Sequence, residues 1–138
     1  MKPLTRIFTA MLITIAVMTS CQKDKLKTTG VSVNNTSLTG RWRVTGQMIS
    51  SGGPMYWVPA TNNNEFLQLM ENGAMTWTST PDYTMYMLKD STTLTMTNAA
   101  NTKYENYIYK IKGDTLSLGA AGPVICIEGC SIQFVKVK

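Results

Sequence analysis

Three cysteines, eight carboxylates and no histidine set the chemistry open to this 138-residue chain. Without histidine it lacks the commonest general base, the imidazole of nucleophilic triads and the commonest metal ligand. Cys126 and Cys130 have the spacing of a Cys-x3-Cys pair, which suits a metal, a redox couple or a disulfide. Two thiols alone cannot complete a four-ligand zinc site. Glu65 and Glu71 invite comparison with a glycosidase acid pair. Six residues along a strand span about 20 Å, whereas such pairs work at roughly 5–9.5 Å. The residue types therefore offer no catalytic residue, no metal site and no cofactor site.

The third cysteine, Cys21, takes its meaning from the residues before it. Met1 to Arg6 carry the charges of Lys2 and Arg6, and a largely apolar run follows from Ile7 to Val17. Eleven helical residues rise about 16 Å, roughly half the hydrocarbon core of a bilayer. Such a run is too short to span and reads as an export signal over residues 1–20. Met18-Thr19-Ser20-Cys21 resembles the lipobox of bacterial lipoproteins, with Met18 where leucine is usual. The resemblance implies that the Cys21 sulfur accepts a diacylglyceryl group and that a peptidase cuts just ahead of it. The implied partner is then a membrane, held through the lipid anchor. Gln22-Lys23-Asp24 resembles the short signal that carries Bacteroidetes lipoproteins from the outer membrane to the cell surface. Lys25 replaces the second acid of that pattern, and a plain charged tether is the alternative. In an exported chain, with Cys21 spent on lipid, the even pair Cys126 and Cys130 reads as a disulfide.

The formal charge of +5 does not describe a nucleic-acid binder. From Gly40 onward eight bases face seven acids, so the excess lies in the signal and in the lysines after Cys21. Binding phosphates needs clustered bases, and nucleic acid is excluded as a partner. Residues 21–39 are polar, rich in Thr, Asn and Lys, and read as a lipidated tether. Residues 40–138 then form one domain, long enough for a single core. The oligomeric state has no signature.

Apolar residues alternate through this domain, and Thr, Tyr, Trp, Val and Ile are abundant, which predicts strands. Nine runs qualify: Trp42 to Met48, Met55 to Val58, Glu65 to Met70, Ala74 to Ser79, Tyr83 to Leu88, Thr92 to Thr97, Lys103 to Ile111, Thr115 to Leu118 and Ile132 to Val137. Turn residues such as Asn72-Gly73 and Lys112-Gly113-Asp114 separate them. The expected fold is an all-β antiparallel up-and-down meander, closed into a small barrel of about eight to ten strands so that no edge stays exposed. One hairpin can be registered. A two-residue Asn72-Gly73 loop would oppose Leu67 to Thr78 and Leu69 to Thr76. A three-residue loop, Glu71-Asn72-Gly73, matches Leu67 with Trp77 and Leu69 with Met75. A one-residue slip exchanges faces, so apolar matching selects the longer loop.

Gly40-Arg41-Trp42 at the first strand, Cys126-Ile127-Glu128-Gly129-Cys130 before the last, and the meander between them resemble the small lipocalin-like lipoproteins of Bacteroidetes. The resemblance implies that Trp42 plugs one end of the barrel. A stacking arginine on the last strand is absent, and Lys136 is the cation available there. It also implies a barrel able to hold a small apolar ligand, lined by Met48, Leu67, Leu69, Met75, Trp77, Tyr86 and Phe134. Small barrels are more often filled by their own side chains. Two roles follow: a binding module for a small apolar molecule, or a structural or interaction lipoprotein that engages an envelope protein. Asp90-Ser91-Thr92 and Asp114-Thr115-Leu116 resemble the Bacteroidetes O-glycosylation sequon, at Ser91 and Thr115.

Overall fold

The computed structural model describes residues 37–124, Cys126 and residues 130–138. The export signal, Cys21, the Gln22-Lys23-Asp24 segment, nearly all of the tether and the Ile127-Glu128-Gly129 turn lie outside these residues.

The nine expected runs all form strands, and the described residues contain no helix: β1 (Gly40–Ile49), β2 (Tyr56–Pro59), β3 (Phe66–Leu69), β4 (Met75–Trp77), β5 (Met85–Leu88), β6 (Thr93–Thr97), β7 (Tyr104–Lys112), β8 (Thr115–Ala120) and β9 (Ser131–Lys136). Every pairing is antiparallel, in the order β4-β3-β1-β9-β8-β7-β6-β5. The two ends of that sheet meet at an Ala74–Met85 bridge. There Met75 N–H donates to the Thr84 carbonyl at 2.8 Å and Tyr86 N–H to the Gly73 carbonyl at 2.7 Å. A meander with its last neighbours joined this way is a small barrel of lipocalin-like form.

β2 and β3 share one flank of β1: β2 pairs with Gly46–Ile49 and β3 with Gly40–Arg43. Together they make one interrupted strand, and residues 60–65 bow out between them. Leu67 pairs with Trp77 and Leu69 with Met75, so the β3–β4 hairpin has the three-residue loop that apolar matching selects. Gly73 closes that loop at φ 81°, a conformation that favours glycine.

One face of every strand but β2 fills the interior. Trp42, Leu67, Leu69, Met75, Trp77, Tyr86, Leu94, Met96, Leu116, Leu118 and Phe134 belong to a single buried cluster. Leu38 joins it, fully buried although its polar neighbours assign it to the tether, so the packed domain begins before Gly40. On the outside, the Arg41 guanidinium lies 3.9 Å from the centre of the Phe66 ring.

Met48 departs from the expected interior set. Between Val44 and Gly46 the register of β1 against β9 slips by one residue, leaving Thr45 as a bulge whose hydroxyl donates to the Gln133 carbonyl at 3.2 Å. An extra residue inverts the alternation beyond it. Met48 therefore lies opposite Trp57 and Ser131, outside the buried cluster that holds Trp42 and Val44.

Candidate functional site

The strands run so that the two ends of the barrel differ. Leu38, Trp42, Lys136 and the tight turns after β3 and β7 gather at one end, the plug end. The connections over residues 78–84, 98–103 and 121–124 gather at the other, the loop end.

At the plug end Trp42 is 0% exposed. Its indole Nε1–H donates to the Leu38 carbonyl at 2.8 Å, which folds the chain back over the ring. Lys136 Nζ stands 5.0 Å from the ring centre and donates to the Ser37 carbonyl at 3.1 Å. Lysine thus takes the cation position over the tryptophan, a cation–π contact. Gly40 allows it: at φ 130° a Cβ would sit 3.0 Å from the Lys136 Cε. The first and third residues of Gly40-Arg41-Trp42 are thereby joined in one arrangement.

Leu67, Leu69, Met75, Trp77, Tyr86 and Phe134 come together, but against each other. Each is 3% exposed or less. Trp77 meets Phe134 edge to face at 5.8 Å between ring centres and Tyr107 at 5.9 Å. The Tyr86 hydroxyl donates to the Met70 carbonyl at 2.8 Å. Of the other methionines, Met96 is buried, whereas Met55, Met70, Met85 and Met87 face solvent.

Burial, followed by the nearby charge of Glu71, pushes the Tyr86 hydroxyl up to about 12. Burial, then Glu105, then Tyr83, does the same for Tyr107, also to about 12. An unfolded tyrosine loses its proton near 10. Stability from these groups is therefore complete below pH 10 and lost as pH rises towards 12, because the unfolded chain ionises first. Thermal melts should hold steady up to pH 10 and fall between 10 and 12. Tyr107→Phe should flatten that decline, and an unchanged slope would show that Tyr107 ionises as freely in the folded chain.

Two clefts open on the wall. One, about 350 Å³, lies over the outer faces of β7 and β8 beside Cys126 and Cys130, with Ile108, Lys110 and Ser117 in its lining. The other, about 240 Å³, occupies the gap between β2 and β3 and reaches Val44 and Ile132. Neither is lined by the six interior residues above. Cys126 and Cys130 are bonded to each other, with Cα atoms 5.6 Å apart.

Glu65 and Glu71 sit beyond opposite ends of β3, and Glu65 accepts a hydrogen bond from the Ser79 hydroxyl. Among the described residues no group of three or more Cys, Asp or Glu side chains could hold a metal ion. Ser91 is exposed in the turn after β5, where Asp90 Oδ1 accepts from the Thr92 and Thr93 amides at 2.8 and 2.7 Å. Thr115 is half-buried at the start of β8.

Sequence reasoning missed Glu105. Most acids in this chain fall at turns or strand ends, where solvated charge is the default, yet Glu105 lies on β7 and is only 4% exposed. Its Oε2 accepts from the Val124 amide at 3.3 Å, tying the β8–β9 connection to the loop end. Asn106 N–H to the Gly122 carbonyl, at 2.6 Å, and Ala121 N–H to the Asn106 carbonyl, at 2.8 Å, reinforce the tie. Inward parity could have flagged Glu105, since it shares its face with Tyr107 and Tyr109. A scan against protein-family models and a search of curated proteins both find no match to this chain.

Proposed function

We propose that the chain is a non-enzymatic lipoprotein of the bacterial envelope, anchored to the outer membrane through Cys21. Its lipocalin-like barrel serves as a platform for an envelope protein, as an assembly accessory or an inhibitor, rather than as a carrier of a small apolar molecule. The observation behind this choice is the packing of the interior. The positions that would line an apolar ligand are occupied by one another, with the Trp77 ring wedged between Phe134 and Tyr107. Apolar ligands need an enclosing cavity of about 300 Å³ or more, and the interior residues line neither of the two wall clefts.

Two measurements test the two parts of the proposal. Radiolabelled palmitate should mark the wild-type chain, and Cys21→Ala should lose the label and leave the membrane fraction. Retained label would refute the anchor. The apolar dye N-phenylnaphthylamine should stay dim when added to the purified protein. Stoichiometric bright binding that a fatty acid displaces would establish a carrier instead.

A further inference from the structure

Four buried side-chain polar atoms among the described residues have no hydrogen-bond partner: Trp77 Nε1, Thr80 Oγ1, Thr84 Oγ1 and Glu105 Oε1. All four belong to the loop end. Trp77 is the last residue of β4, Thr80 and Thr84 lie in the connection to β5, and Glu105 is the second residue of β7. Tyr107 links the group: its ring is 5.9 Å from that of Trp77, and it lies two residues from Glu105 on the same face of β7. Leaving a buried polar group unpaired is costly, so four at the same end of the barrel point to a polar guest there.

The chemistry of the orphaned atoms describes that guest. Glu105 Oε1 requires a donor, and buried carboxylates are as a rule paired with a cation. The ion pairs of the described residues are Lys103–Asp82 and Lys138–Asp114, and neither involves Glu105. The Trp77 indole N–H requires an acceptor. The two threonine hydroxyls can serve in either sense. The neighbouring aromatic rings of Trp77 and Tyr107 favour positive charge further.

We propose that the loop end of the barrel binds a small protonated amine carrying a nearby oxygen. Its ammonium donates to Glu105 Oε1, and its oxygen accepts from Trp77 Nε1. The seat differs from the apolar interior in its polar atoms, and Trp77 borders both.

The test uses the full chain in detergent, labelled with 15N at its three tryptophans. Ethanolammonium carries both the charge and the oxygen, ethylene glycol is its neutral counterpart, and tetramethylammonium has charge but no hydrogen to donate. Ethanolammonium should shift the Trp77 indole resonance saturably in the millimolar range, as befits four non-hydrogen atoms. The Trp42 indole, bonded to the Leu38 carbonyl, should stay still. The other two probes should bind roughly tenfold more weakly or worse, the loss of a charge-assisted hydrogen bond. Glu105→Gln should weaken ethanolammonium by a similar factor. Equal binding of ethylene glycol, or a Trp77 resonance unmoved at roughly 100 mM ethanolammonium, would overturn the proposal and leave ordered water as the guest. The probe comparison on the wild-type chain decides even if Glu105→Gln does not fold.

Discussion

Trp42→Ala should lower folding stability by about 3–5 kcal/mol, the range for truncating a large buried aromatic. The residue closes the plug end and is held there in three ways. Its ring is wholly buried, its indole holds the Leu38 carbonyl, and Lys136 lies over its face. Truncation would empty that volume, strand the Leu38 carbonyl and leave Leu38 without the turn that buries it. A domain of this size has about 5–15 kcal/mol in total, so the loss approaches what the fold can bear. Trp42→Phe separates the components: it keeps most of the ring and removes the N–H, for a cost of about 1–2 kcal/mol. Urea unfolding followed by circular dichroism measures both. A loss below about 1 kcal/mol for the alanine variant would mean that the plug end repacks without its tryptophan.

Gly46→Ala should cost about 1–3 kcal/mol, an unusually large penalty for adding one methyl group. Gly46 follows the Thr45 bulge and pairs with Pro59 of β2. A Cβ there would run into the Trp57 ring and would stand 2.5 Å from the Val58 carbonyl oxygen. The ring can swing aside, but the carbonyl belongs to the paired backbone, so β2 must move off β1. Trp57→Ala alone, at a partly exposed ring, should be mild. Combined with Gly46→Ala it should recover part of the loss, since residues in contact are not additive. Full additivity of the two changes would show that the ring and the glycine are independent.

The nine strands and the β3–β4 register were legible because alternation and turn residues agree there. In that hairpin one register matches Leu67 with Trp77, whereas the neighbouring one sets apolar against polar. The inward face was not legible where alternation carries no such contrast. β7 reads Tyr104-Glu105-Asn106-Tyr107-Ile108-Tyr109, with apolar bulk on both parities, and the barrel buries the set that includes Glu105 while Ile108 and Tyr104 face solvent. Met48 went astray because a bulge has no residue signature of its own, and Thr45 looks like any strand threonine. The loop-end seat was invisible for a related reason. Its members come from β4, the β4–β5 connection and β7, and only closure of the sheet brings them to the same end.

The clamp at the plug end also determines how the barrel carries load. The chain enters there, held by the Leu38 and Ser37 carbonyls, and continues directly into β1. β1 is the longest strand and is flanked by β9 on one side and by β3 and β2 on the other. A pull on the amino-terminal segment along β1 would act perpendicular to the strand's ladder of hydrogen bonds. Those bonds would be strained together in shear, instead of parting one by one like a zipper. By its wiring, then, the barrel is strong in the direction from which an amino-terminal tether would drag it and weak at the β4–β5 seam, which a sideways force would open first.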